Sequence, residues 1–244
     1  PFIPISSGVD VFAWKSVCSW GELFNERMWI EFSSWMESWD EDFCAIDMNE
    51  TIKSWSRAWS KYLYAYLVAK NKYFIFPYES LTTNFNDAGG EHGGGSSAVQ
   101  VSLQQGKRNY QLPKFDELVR YDIYGHNEDI PRWLDISSDN LVVDYYINSR
   151  NFNKRYVLSS SKLPYKKIKG FSLKMRPWEL NVKYGISGDD IILYDRQSTE
   201  PIKAPKRTYV HGVLDYYFNR YNPHFTFAFV IKRYWSRIKN KLNF

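Results

Sequence analysis

Residues able to do chemistry gather in three runs. Asn84-Phe85-Asn86-Asp87-Ala88-Gly89-Gly90-Glu91-His92 sets a carboxylate, glycines and a histidine close together. Glycine lets backbone N–H groups approach phosphate oxygens. Asp87 offers a hard oxygen and His92 a neutral imidazole, so the run could meet a metal ion or a diphosphate. The plainer reading is a solvent loop with an incidental histidine. Trp55 and Trp59 stand four residues apart. An indole can stack on a flat apolar face and donate one hydrogen bond, as sugar sites require, but aromatics at helical spacing also serve as core. Third, Ser7–Lys15 reads SGVDVFAWK, a polar turn and then an apolar run with Asp10 and Trp14. It suits either the lip of a pocket or a buried strand whose Asp10 caps a turn. His126, His211 and His224 are scattered and share no ligand spacing. Gly-x-Ser-x-Gly, the Walker loop, G-x-G-x-x-G and zinc spacings do not occur. Cys18 and Cys44 fit structural or free thiols in a reducing compartment.

The elements that must position these residues follow from periodicity. Residues 19–40 read as a helix, with Trp29, Phe32, Trp35 or Met36, and Trp39 recurring every three to four positions. Residues 50–70 read as a second helix, with Trp55, Trp59, Tyr62 and Tyr66 on one face, widened by Leu63 and Leu67. Tyr73–Phe76 reads as a short strand stopped by Pro77, and Leu81–Phe85 as a further extended piece. Residues 88–97, AGGEHGGGSS, can only be loop, because glycine loses much entropy and supplies no side chain. Beyond the loop, 118–124, 141–147, 156–160, 170–175 and 191–194 are strand candidates. Asn127–Pro131, Ser137–Asn140 and Gly185–Asp190 mark turns, and only one short helix, around Pro131–Leu134, interrupts the strands. Residues 207–221 and 225–242 read as helices parted by Asn222–Pro223. No internal repeat is present.

Composition narrows the class. At 244 residues, with 44% hydrophobic and 24% charged positions, the chain is neither wholly disordered nor a disulfide-stapled miniature. No apolar run reaches spanning length. Aromatics are 18%, roughly twice ordinary usage. The chain opens on Pro1, and we read it as a fragment of a longer protein. The net charge of +5 hides an asymmetry: residues 1–50 hold ten acids and two bases, whereas 203–244 hold nine bases and one acid. A nucleic-acid binder would line its binding face with positive charge. Here five of the ten tryptophans fall in the acidic segment, so nucleic acid is not an expected partner. In the basic tail, Phe227, Ile231, Tyr234 or Trp235, Ile238 and Leu242 make an apolar stripe flanked by Lys232, Arg233, Arg237, Lys239 and Lys241. That arrangement suits a helix lying in an anionic membrane interface, with Lys232, Arg233, Trp235 and Arg237 as contacts; a helix packed on the domain with its charges in water is the alternative.

The stretch from Ser54 to His92 resembles the closing part of the catalytic domain in a bacterial branch of family-2-like, GT-A-fold glycosyltransferases. The matching residues are Ser54-Trp55, Trp59, Phe76-Pro77, Ser80-Leu81, Asn84, Asp87, Gly90 and His92. Ser7–Trp20 is similar to the family's Trp-rich acceptor-side segment, best at Ala13-Trp14-Lys15. The resemblance covers about residues 5–95. The remainder resembles an accessory tail, through Met175-Arg176-Pro177 and Ile192-Leu193-Tyr194-Asp195. It implies transfer of a sugar from a nucleotide-sugar to a surface-glycan or lipid-linked saccharide acceptor, with inversion. A divalent metal, Mn or Mg, would neutralise the leaving diphosphate. Asp87 and His92 would serve the metal; Asp10, Trp14, Trp55, Trp59 and Asn84 the substrates. Two positions depart from the pattern. Lys53 stands where the family commonly has an acid before Ser/Thr-Trp, making Glu50, one helical turn earlier, the substitute general base. Glu91 stands where a small hydroxyl residue is usual.

The expected fold is α/β to α+β, in three parts. Residues 1–112 would form the C-terminal, acceptor half of a GT-A domain, 113–204 a small strand-rich α+β extension, and 205–244 a basic helical tail. The donor-binding half would lie upstream of Pro1. The expected location is cytoplasmic, peripheral on the inner face of the membrane. The second reading is a non-catalytic carbohydrate-binding or assembly module of a glycan-synthesis system.

Overall fold

The computed structural model describes residues 2–39, 42–56, 58–83, 101–145, 153–199, 231–232 and 234–235. The fold is α+β, built on two mixed sheets. The first sheet has the order β2-β1-β3, from β1 (Val11–Trp14), β2 (Phe74–Pro77) and β3 (Arg120–Tyr121). β1 pairs antiparallel with β2, Val11 opposite Pro77 and Trp14 opposite Phe74, and parallel with β3. Residues beyond 112 are therefore hydrogen-bonded into the same sheet as Val11–Trp14. The expected strand at 118–124 shrinks to two residues for a local reason. Asp122 Oδ1 accepts from the N–H groups of Tyr124 and His126, both at 2.8 Å, and turns the chain. Gly125, at φ +77°, takes the left-handed position in that turn, which favours glycine.

Helices cover this sheet. α1 (Glu26–Ser38) starts at Asn25, whose side chain accepts from Met28 N at 2.8 Å. The continuous helix expected over 50–70 is instead α2 (Glu50–Lys53) and α3 (Trp59–Ala69). Ser54 Oγ bonds back to Thr51 O at 2.8 Å, giving the backbone a local alternative to helix. Trp55 is thus off the helix; of the expected face Leu63, Tyr66 and Leu67 are buried, with Ala65, whereas Trp59 and Tyr62 are exposed. Phe32, Leu63 and Tyr66 form a small core between α1 and α3, joined by Trp35 and Phe74.

The second sheet has the order β4-β5-β7-β6, from β4 (Leu141–Asp144), β5 (Tyr156–Ser159), β6 (Lys166–Phe171) and β7 (Ile191–Asp195). Its largest core joins Leu141, Val143, Leu158, Phe171, Ile191 and Leu193 to Ile130 of α4 (Ile130–Trp133) and Val182 of α5 (Glu179–Lys183). The strand expected at 170–175 lies four residues earlier, because β6 is an edge strand with Lys166–Lys169 exposed, and so lacks apolar alternation. α5 was not expected. Its five residues are too few for helical periodicity to show. No helix among the described residues is long and apolar enough to cross a membrane. The tail helices expected at 207–221 and 225–242 lie outside the described residues, except that 231, 232, 234 and 235 are helical.

Candidate functional site

β1 and β2 bring the two separated tryptophan-bearing segments together. Trp14, last in β1, stacks on Phe2 with ring centroids 4.1 Å apart and donates its indole N–H to Asp122 O at 2.9 Å. Its donor is therefore used inside the fold. Asp10, just before β1, accepts from Gln111 N at 2.6 Å and from Arg108, which also pairs with Glu79 at 2.7 Å. These partners, the Gln111 N–H first, hold its carboxyl below the usual carboxylate range. The strand reading holds for Val11–Trp14 alone, with Val11–Ala13 buried; Asp10 does not cap the following turn but ties the 108–111 segment to β1.

Three tryptophans near these segments in sequence are exposed. Trp55 packs edge-on against Tyr64 at 6.1 Å, and Tyr64 OH reaches Ser16 Oγ at 3.3 Å and donates to Val17 O at 3.1 Å. Trp55 keeps 36% of its surface exposed and Trp59 keeps 47%, so the core reading does not hold for Trp59. Trp20, 39% exposed, accepts from Thr82 Oγ1 through its carbonyl. Ser80 bridges Leu103, and Val101 N donates to Thr83 Oγ1 at 3.0 Å, so residues 80–83 and 101–103 meet beside Trp20. Asn84, Asp87 and His92 lie between those ends and outside the described residues.

Glu50 opens α2 with an exposed carboxylate, paired with Lys53 Nζ at 3.0 Å. Asp42, which caps the 3₁₀ turn at Phe43–Ala45, is held low chiefly by the Cys44 N–H. Among the described residues no three His, Cys, Asp or Glu side chains gather to hold a metal. Cys18 and Cys44 are both free thiols. In the tail, Lys232 and Trp235 are exposed, Trp235 at 61%, whereas Arg233 and Arg237 lie outside the described residues.

Two polar clusters, one half-buried and one buried, escaped the sequence reading. Glu128 collects Tyr73 OH at 2.6 Å, Lys15 Nζ at 3.2 Å and Arg120 Nε at 3.5 Å. Burial, then the Glu128 carboxylate, push the Tyr73 phenol upward. Deeper still, Tyr121 of the first sheet accepts from Ile5 N at 2.7 Å and donates to Glu179 Oε1 of α5 at 3.2 Å. Burial pushes the Glu179 carboxyl up to about 7. Nothing local could have flagged Glu179, since an acid in a helix's first turn is ordinary. Its character comes from being covered. No protein-family profile, curated protein or solved structure matches this chain.

Proposed function

We propose that this chain is the acceptor-binding part of a GT-A-type glycosyltransferase, which transfers a sugar from a nucleotide-sugar to a surface-glycan or lipid-linked saccharide. The observation that supports this reading is convergence. The Trp14 segment and the Phe74–Pro77 strand, distant in sequence, share one sheet, and Trp20, Trp55 and Trp59, in the segments that flank these strands, are exposed. Exposed indoles supply flat apolar faces for sugar rings. In this reading Asp87 and His92 serve a divalent metal, Mn or Mg, at the diphosphate. The protein works in the cytoplasm, against the inner face of the membrane. Glu50 is the candidate base, since it is the exposed carboxylate nearest the Ser54-Trp55 pair in sequence.

The Glu50–Lys53 pair favours the second reading, a non-catalytic carbohydrate-binding module, because accepting a proton requires that pair to open. The deciding experiment uses the full-length protein with UDP-, GDP- and dTDP-sugars and Mn²⁺ or Mg²⁺. Turnover that Glu50→Gln and His92→Ala abolish, with folding retained, is the expected result. Failure to bind any such sugar overturns the enzyme reading. Saccharide binding that Trp55→Ala removes, without turnover in the parent, supports the module.

A further inference from the structure

The second sheet exposes a basic edge that the glycosyl-transfer reading does not use. From Ser159 to Trp178 the chain has six bases, Lys162, Lys166, Lys167, Lys169, Lys174 and Arg176, and no acid. Four of them line or flank β6, the edge strand, whose residues 166–169 are all exposed. Bonds from Gly188 N to Gly170 O and from Ser172 N to Ile186 O occupy the 170–172 end of the strand. The register slips between Lys167 and Lys169, so Ile168 is an extra residue with no partner on β7. Lys166 pairs opposite Asp195, and Lys169 opposite Leu193. Of the nearby acids, Asp195 is engaged by Arg155 at 2.9 Å and Asp189 by Lys167. Lys162, Lys166, Lys169 and Lys174 form no ion pair within 4 Å among the described residues. Behind Lys167 and Arg155, however, Lys162 lies near enough to Asp189, and Lys166 to Asp195, to help hold those carboxyls down, and Lys169 lies 5.2 Å from the Phe171 ring.

We propose that this edge, Lys166-Lys167-Ile168-Lys169 with Lys162 and Lys174 beside it, docks on an anionic lipid bilayer, with Ile168 entering the interfacial layer. Charge complementarity argues for the surface. An isoleucine 50% exposed at the bulge argues for a bilayer over a purely polar partner, because lysine stems can lie along apolar surface while their heads remain in the headgroup layer. Within residues 159–178 no carboxylate offsets these bases; the nearest exposed acid, Asp189, comes from the turn before β7 and is taken up by Lys167. Edge lysines have a second common use, blocking strand-to-strand aggregation, and the test must separate the two.

The full chain is titrated with vesicles of phosphatidylcholine alone and of phosphatidylcholine with an equal part of phosphatidylglycerol. Binding to the anionic vesicles only is expected. K166Q/K167Q/K169Q should weaken it about a hundredfold, at about fivefold per lysine. Ile168→Asp should weaken it too with every lysine in place, and far-UV circular dichroism should be unchanged for both variants. Unchanged vesicle affinity in both variants overturns the proposal, and self-association of the triple variant at unchanged affinity assigns the lysines to edge protection. Equal binding to neutral vesicles also overturns it. So does full competition by soluble polyphosphate at matched phosphate, since the edge would then read phosphate and not a bilayer. Neutralising Lys232, Arg233 and Arg237 should leave the triple variant's further loss intact; abolition of all binding by that change alone assigns docking to the tail and overturns the proposal.

Discussion

Glu179 is 4% exposed against the Tyr121 hydroxyl, and burial pushes its carboxyl up to about 7 from an ordinary 4.5. In the unfolded chain it loses its proton first. Between those two pH values the folded chain holds a proton that the unfolded chain has released. This contribution is therefore complete below the unfolded value and lost as pH rises through the folded one. It amounts to about 3 kcal/mol. Urea midpoints should fall between about pH 5 and about pH 8 for the parent, and Glu179→Gln should flatten that slope. A steep slope retained in Glu179→Gln would assign it to another group. At the same scale, the exposed indoles separate binding from stability. Trp59→Ala should move the urea-derived stability by about 0.5–1 kcal/mol, whereas Trp55→Ala, which also loses the edge contact with Tyr64, should cost about 1–2 kcal/mol. Each should weaken saccharide binding several-fold, read by calorimetry against a panel of oligosaccharides.

At the scale of elements, α1 depends on its first turn, because Asn25 satisfies one N–H that no carbonyl in the helix can reach. Asn25→Ala should cost about 1 kcal/mol in denaturant unfolding, while Asn25→Asp keeps most of it. β6 depends on a close approach of backbone to backbone. A Cβ at Gly188 would meet Ser172 Cα at 2.6 Å, and neither side has a flexible tip to move. Gly188→Ala should therefore destabilise the second sheet by about 1–3 kcal/mol, checked by thermal melting. The helices and strands themselves differed in how legible they were. α1 and β7 read clearly, since one carries helical spacing and the other a run of buried aliphatics. Trp55–Tyr66 also carried helical spacing, yet Ser54 and the 55–58 segment broke it. Spacing reports where a helix could hide a face, not whether a competing side-chain bond ends it. β6 was displaced for the converse reason: an exposed edge needs no apolar alternation, so its lysines looked like loop.

Across the whole molecule, Tyr121 joins the two sheets. Its hydroxyl accepts from Ile5 N and donates to Glu179, so both groups lose a partner in Tyr121→Phe. Ile5 N–H loses its partner and the Glu179 carboxyl keeps only its backbone bond, which should cost about 1–4 kcal/mol together, and the variant should unfold at a lower urea midpoint. If the joint matters, fluorescence and circular dichroism transitions that coincide in the parent should separate. The charge asymmetry is legible from composition, but the placement of the basic edge on β6 is not. The candidate site divides in the same way. Residue types in Ser7–Trp20 and Ser54–Thr83 marked them as candidates, while their meeting in one sheet came from β1 pairing with β2.

By itself the sequence determined a mixed class of helices and strands, the helical spacing within α1 though not its start at Glu26, most of the strands and the aromatic excess. These follow from local periodicity and residue chemistry, which a linear reading contains. Only the tertiary structure decided that Trp59 is exposed, that the Trp14 donor is consumed by Asp122, that Asp10 holds Arg108, and that Glu179 is buried against Tyr121. Exposure, pairing and dielectric environment are set by contacts between segments as much as 116 residues apart, and no window along the chain contains both partners.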